Sequence, residues 1–366
     1  MCILAVDIGQ SKSVCCLYEA SKQAREFVTV RTRPEAFAEL ITCHKPSLVV
    51  IEICPAAGWI RDLCQGMGVK LLVANTSDDA WRWRGVKRKT DRDDAWKLAR
   101  MAELGHIRPV HIPEPWVRQW RQLIHYRQRL VRSCTAIKNR IRAVLQMVNV
   151  ELPAGRKGFS DEVRATLTGC ESKRLELCGM EELWRGALRM DLDQLHVLER
   201  HLCRVEKQLD VYAGKQEAVG RLMKAPGVGP RTAELVVALL DDVHRFSRGK
   251  QVAAYAGLAP RKYQSGQMDR DGHISHAGDG QLRALLVQAS WTGIHHNVGW
   301  MREVFDRVSG GNKKRRKKAV VAVARRLLIK LWAMLRDGSE WRDPVVAKDR
   351  GVGAARGVRR RVVPAV

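Results

Sequence analysis

The first part of the chain alternates short apolar runs with polar breaks. Cys2–Val6 is apolar and ends in Asp7-Ile-Gly9, and Ser13–Tyr18 is a second apolar run beyond Gln10-Ser-Lys. This predicts a strand, a tight glycine-containing turn and a second strand, with a third over Phe27–Val30. Pro34–Cys43 switches to helical spacing through Phe37, Leu40 and Ile41. Leu48–Ile53 is a β-branched run broken only by Glu52, the pattern of a buried central strand. Trp59–Gly66 reads as a helix and Val69–Val73 as another buried strand, followed by a helix that opens at Asp91. The order βββαβαβα predicts a mixed α/β layered domain over residues 1–110.

Beyond Pro113 and Pro115 the period changes. Trp116, Trp120, Leu123, Leu130, Cys134, Ile137, Ile141, Val144 and Val148 form a heptad seam that misses only at Arg127. A second seam runs through Trp184, Leu188, Leu195, Leu198, Leu202, Val205 and Leu209, interrupted at Asp191. Two such helices make a coiled-coil arm over residues 111–215, either an antiparallel hairpin within the chain or a contact with another subunit. Residues 216–340 read as mainly helical, with Ala319–Leu335 as the last amphipathic helix and a poorly ordered basic tail expected over 341–366. Within that region Ala225-Pro-Gly-Val-Gly-Pro-Arg-Thr-Ala233 looks like the hairpin of helix-hairpin-helix proteins. Gly227 and Gly229 would let backbone N–H groups approach a phosphate, with Arg231 beside them.

Charge changes the picture most. Sixty-five Lys and Arg against 39 Asp and Glu give +26, which calls for a polyanionic partner. Nucleic acid is the first candidate. A membrane is not, because no apolar run reaches the roughly 18–20 residues of a spanning helix. The N-terminus lacks a secretory pattern, and the ten cysteines show neither a C-x-x-C pair nor zinc spacing, so a cytoplasmic protein with reduced thiols is expected. Candidate phosphate contacts are Arg118, Arg121, Arg132, Lys138 and Arg140 on the first heptad helix, Arg88 and Lys89 before Asp91, and Lys313, Arg315 and Arg316 in a six-residue basic run. Trp81 and Trp83, flanked by arginines, are placed to stack on unpaired bases, whereas Trp116 and Trp120 sit on the seam and read as core.

The carboxylates carry the candidate chemistry. Asp7 and Glu52 lie in or at the end of buried strands, where a charge needs a partner. Asp91 and Asp94, three residues apart, share a helix face behind the N-cap residue Thr90, and Asp93 is a further acid inside the motif. Taken alone, that helix start is a capped terminus whose acids complement the dipole. Taken with Asp7 and Glu52, it is half of an acidic pocket that a divalent cation would neutralise. Mg²⁺ suits such oxygen ligands and serves phosphoryl transfer, through one or two ions. A rival exists, since Val6-Asp7-Ile-Gly9-Gln-Ser-Lys-Ser13 resembles the phosphate loop of actin-like and sugar-kinase ATPases, but the second phosphate loop and the adenosine motif are not found.

Asp7 on a first strand, Glu52 on a later one and Lys89-Thr-Asp-x-x-Asp-Ala95 opening a helix resemble the DEDD domain of insertion-sequence 110 family transposases. In the C-terminal region Gly257-Leu-x-Pro-Arg261, Gln264-Ser-Gly266, His273-Ile-Ser275 and Leu282-Arg283 resemble the second domain of the same family. The resemblance spans roughly residues 1–335. It implies an RNase H-like, RuvC-like N-terminal domain in which Asp7, Glu52, Asp91 and Asp94 are catalytic and hold Mg²⁺. It also implies a nucleophilic Ser265 that forms a phosphoserine link to DNA. Arg261, Lys262, Arg270 and Arg283 would then hold the phosphate, and His273 and His276 would either assist Ser265 or contact DNA. Implied partners are double-stranded DNA, a structured non-coding guide RNA, and further copies of the chain in a dimer or tetramer. The alternatives are a RuvC-type structure-selective endonuclease that uses water as nucleophile, and a non-catalytic nucleic-acid-packaging protein.

Overall fold

A computed structural model of the chain describes residues 1–75, 90–155, 157–265 and 268–342. It divides into two compact units, Met1–Gln122 and Leu123–Val366.

The first unit is built on a five-stranded sheet. Its strands are β1 (Cys2–Asp7), β2 (Lys12–Glu19), β3 (Ala24–Arg31), β4 (Leu48–Glu52) and β5 (Lys70–Ala74), in the spatial order β3-β2-β1-β4-β5. The β1/β2 and β2/β3 pairs are antiparallel, and β1/β4 and β4/β5 are parallel. Helices α1 (Pro34–His44) and α2 (Ala57–Gly66) supply the crossovers, and α3 (Asp91–Glu103) follows β5. Strand alternation divides the core into two layers. Leu4, Val6, Cys15, Leu17, Val49, Ile51 and Val73 pack with Phe37, Leu40, Ile41 and Ile60 of α1 and α2. Ile3, Ala5, Cys16, Tyr18, Val50 and Ala74 face Ala95, Leu98 and Ala99 of α3. Every strand and helix expected before residue 104 is present, with no end moved by more than three residues.

Helix α4 (Pro115–Met147) begins in the first unit and continues into the second. After the short helix α5 (Asp161–Thr166) comes α6 (Leu183–Gly214). Cys134, Ile137, Ile141 and Leu145 of α4 pack with Leu188, Leu192 and Leu195 of α6. Ion pairs Arg127–Glu206, Lys138–Glu199 and Arg140–Asp191 run in opposite sequence directions, so the two heptad helices close on each other as an antiparallel hairpin within the chain. The interruptions at Arg127 and Asp191 are therefore ion-pairing positions. The buried stripe also drifts from a strict heptad to Val117, Ile124, Leu145 and Leu192, as 3.6 residues per turn requires. That drift leaves Trp116 54% exposed, stacked beside the buried Trp120, and corrects its placement in the core.

The rest of the second unit is a helical layer with one β-hairpin. Helices α7 (Glu217–Met223), α8 (Pro230–Leu240), α9 (Gly249–Tyr255), α10 (Gly280–His295), α11 (Gly299–Ser309) and α12 (Arg316–Asp337) surround a core rich in Leu, Val and Ala. Strands β6 (Pro260–Ser265) and β7 (Met268–Ile274) pair antiparallel. The last helix begins three residues earlier than its apolar period indicates, inside the basic run. The tail beyond residue 342 lies outside the described residues, as do Trp81, Trp83, Arg88 and Lys89.

Candidate active site

Asp7 and Glu52 are the last residues of two adjacent parallel strands. The β1/β4 register pairs Val6 with Ile51, so the next step brings Asp7 level with Glu52. Ile3, Ala5 and Val50 face α3, and the period of two sends Asp7 and Glu52 to that same face. Both are partly buried. Two observations set the direction of α3. The Tyr18 hydroxyl donates to Glu103 at 3.0 Å, and Tyr18 lies opposite Ile3 at the start of β1. The Arg92 guanidinium sits 5.7 Å from the Phe27 ring, one strand-pair step toward the other end. The helix thus runs antiparallel to β1, and its N-terminus lies toward the strand ends that carry Asp7 and Glu52. Asp91 and Asp94 extend the sheet-facing stripe of Ala95, Leu98 and Ala99 by one turn, since each precedes a buried residue by four.

Asp93 has a different task. Its carboxylate accepts from the Thr90 hydroxyl at 2.6 Å and the Thr90 backbone N–H at 3.1 Å, while Thr90 Oγ1 accepts from the Asp93 N–H at 3.3 Å. This capping box holds the Asp93 carboxyl below its usual range and occupies it at the cap, leaving Asp91 and Asp94 as the stripe's acids. The turn before β2 is equally defined. Gly9 is required there, because a Cβ would come 2.2 Å from the Lys12 carbonyl oxygen. Thr32 donates to the Gly9 carbonyl at 2.8 Å, and the Ser13 hydroxyl, fully buried, pairs with Thr32. Among the described residues no three His, Cys, Asp or Glu side chains already converge as a closed metal cage would. An all-carboxylate set on two strands and one helix terminus nonetheless has the hard-oxygen chemistry of an open Mg²⁺ site, which keeps waters and substrate oxygens in its shell.

In the second unit, Ser265 is the last residue of β6, opposite Met268, at the tip end of the hairpin. The base of that hairpin is tightly held. Gly257 and Gly278 both have positive φ, and a Cβ would come 2.0 Å from the backbone oxygen of Ala277 at Gly257 and of Tyr255, at the end of α9, at Gly278. Arg283 donates to the carbonyls of Ala256, Ala277 and Gly278 at 3.1, 2.6 and 3.3 Å, clamping the two loops together. Arg261 and Lys262 are exposed on β6, with Lys262 3.4 Å from Asp269. His273 and His276 are also exposed. The Ala225–Gly229 turn joins α7 to α8, as the helix-hairpin-helix pattern predicts. Gly227 has φ +76 and passes so close to α10 that a Cβ would meet the Ala289 oxygen at 2.3 Å, whereas Gly229 faces open space at the N-terminus of α8.

Residues 4–150 match a DEDD-type IS110 family model described as a transposase, and residues 219–306 match the transposase IS116/IS110/IS902 family. The chain is 28% identical to the transposase for insertion sequence element IS1111A of Coxiella burnetii, over 91% of this chain and 89% of that one. It is 31% identical to a probable family 20 transposase of Pseudomonas aeruginosa, over 67% of this chain and 70% of the relative. The chain belongs to the IS110/IS116/IS902 transposase family. Among solved structures, a Fowlpox virus resolvase crystallised with Holliday junction DNA shares 16% identity, over 29% of this chain and 73% of that one, with a TM-score of 0.18.

The two matched segments of the transposase contain all four acids and Ser265. Its cations divide into two groups. Arg118 is paired with Asp62 and donates to the Pro113 carbonyl at 2.6 Å. Lys138 and Arg164 meet Glu199; burial alone would raise that carboxyl, but the two cations hold it below its usual range. Arg140 binds Asp191, and Arg231 binds both Asp210 and Glu234. Of the residues expected to contact phosphate, Arg118 therefore meets an acid of α2, Lys138 and Arg140 acids of α6, Arg231 acids of α6 and α8, and Arg283 backbone carbonyls. Arg132, Arg261, Lys313, Arg315 and Arg316 remain exposed, while Arg121 is partly buried. Among the described residues, no helix of the transposase is long and apolar enough to cross a membrane.

Proposed function

We propose that this transposase cuts and rejoins DNA strands through two sites, the acidic face of an RNase H-like, RuvC-like domain and a nucleophilic Ser265. The level placement of Asp7 and Glu52 below the Asp91/Asp94 stripe carries the reading. The β3-β2-β1-β4-β5 order, with its parallel half ending in the acids, supports the fold assignment. Asp7, Glu52, Asp91 and Asp94 hold Mg²⁺, which supplies charge stabilisation to a phosphodiester in transfer. Ser265 loses its hydroxyl proton and forms an Oγ–P bond as the phosphodiester releases one strand end, which takes up a proton as a free hydroxyl. Attack by that hydroxyl, or by another strand's, reverses the step and rejoins the DNA. Exposed Arg261 and Lys262 flank the serine on the phosphate path, and the Gly229 end of α8 meets the backbone of double-stranded DNA.

The division into a catalytic domain (1–110), a basic arm (111–215), a serine domain (216–340) and a basic tail belongs to this reading, as do a structured guide RNA, a dimer or tetramer of this chain, and a cytoplasmic location. The basic surface and the family membership support the nucleic-acid partners. The test is cleavage of the element's own DNA end. Asp94→Asn and chelation by EDTA abolish it, while Asp93→Ala, which removes only the cap, leaves cleavage measurable. Full cleavage in EDTA refutes the metal site.

A further inference from the structure

Helices α10 and α11, the 3-10 turn Lys313–Arg315 and the start of α12 enclose a cavity of about 440 Å³ that the proposed chemistry does not use. This lies within the roughly 300–1,000 Å³ of ordinary ligand sites. Its floor is aromatic. The Phe305 ring meets Trp291 at 5.5 Å and 60°, and His295 lies 5.7 Å from Trp291 at 39°. Its rim is cationic, with Lys313 and Arg316 belonging to an exposed run, Lys313–Lys318, that contains no acid. Arg302, also at the rim, is neutralised by Asp306 at 2.8 Å. An aromatic face beside unneutralised cations suits a nucleotide, the ring taking the base and the cations its phosphate.

We propose that this cavity binds one unpaired nucleotide of a nucleic-acid strand, the base stacked on Trp291 and the phosphate held by Lys313 and Arg316. The proposal rests on the reading of the chain as a strand-handling enzyme and adds a site for a single-stranded segment. The Arg316 guanidinium stands 5.6 Å over the Trp291 ring, a planar cation where a planar base would lie. The base takes that place, and the released guanidinium turns to the phosphate. Two of the polar groups nearby are already engaged: the Asn312 side-chain oxygen accepts from the Lys314 N–H at 2.9 Å, and Ser309 donates to the Asp306 carbonyl at 3.3 Å. Recognition by stacking and charge is tolerant of base identity, because every base has a π-face.

The test uses the full chain and fluorescence anisotropy with a labelled single-stranded DNA of about a dozen nucleotides, the same sequence as RNA, and the blunt duplex. Trp291→Ala weakens single-strand binding about tenfold, with duplex binding unchanged, and Trp291→Phe retains most of the affinity. Lys313→Ala lowers single-strand affinity and reduces its salt slope by about one. A loss confined to DNA or to RNA supports the site and identifies the strand that fills it. Unchanged single-strand binding in Trp291→Ala overturns the proposal. If Trp291→Ala loses all binding, the exposed Lys313→Ala decides: a loss larger on the single strand than on the duplex sustains the site, and equal loss overturns it. Absence of duplex binding by the unaltered protein would instead remove the DNA-handling reading, and this site with it.

Discussion

Glu234 gives the account a quantitative handle. It sits on α8 with its side chain 1% exposed, and Arg231 donates to both carboxylate oxygens at 3.0 and 2.9 Å. Burial pushes the carboxyl up to about 7 from an ordinary 4.5, Arg231 opposing and burial prevailing. Between those values the native state keeps a proton that the unfolded chain has released. Stability therefore falls as pH rises from 4.5 toward 7 and levels off above it. At roughly 1.4 kcal/mol per pH unit the whole window is worth about 3 kcal/mol. Glu234→Gln keeps the shape and an acceptor oxygen for Arg231 while removing the titration. Urea unfolding of both proteins between about pH 4 and about pH 8 should find the variant gaining about 3 kcal/mol on the parent as pH rises. Parallel stability curves refute the reasoning. A variant that loses ground with rising pH would mean that the Arg231 pair outweighs burial and depresses the folded carboxyl.

Three further substitutions test the packing of the second unit. Gly227→Ala must place a side chain at φ +76 and 2.3 Å from the Ala289 oxygen, so thermal unfolding should report a loss of at least about 2 kcal/mol. Gly229→Ala faces open space and should stay within about 0.5 kcal/mol of the parent. Equal effects at the two glycines would contradict the assigned roles. Leu188→Ala empties a fully buried position where α6 packs on α4 and should cost about 3–5 kcal/mol by urea unfolding. A loss below about 1 kcal/mol would mean that the helical hairpin is not closed within the chain.

Much of the first unit is legible in the residues because strand period and burial agree. Leu48–Ile53 reads as a central strand, and the same alternation that buries Val50 sends Glu52 to the α3 face. Placing Asp7 beside Glu52 required the parallel register, which is a long-range property absent from local spacing. Asp93 illustrates the limit within the motif itself. Three acids open α3, and only the hydrogen bonds of Thr90 separate the cap residue Asp93 from the candidate pair Asp91 and Asp94. The basic residues were the least legible. Arg140 and Arg231 look like free cations in sequence, and their partners Asp191 and Asp210 lie 51 and 21 residues away. The aromatic floor under Lys313 was equally hidden, since Trp291 and Phe305 meet only when α10 packs on α11.

The central claim, that DNA is cut by transfer to Ser265 with the help of the acidic face, is tested most directly by trapping. The protein, its element-end DNA and Mg²⁺ are combined, quenched with denaturant, and the covalent product is mapped by mass spectrometry of its peptides. The account predicts a phosphodiester adduct on Ser265 that is absent in Ser265→Ala and in Asp94→Asn. Cleaved DNA with no adduct, or an adduct that persists in Ser265→Ala, contradicts it.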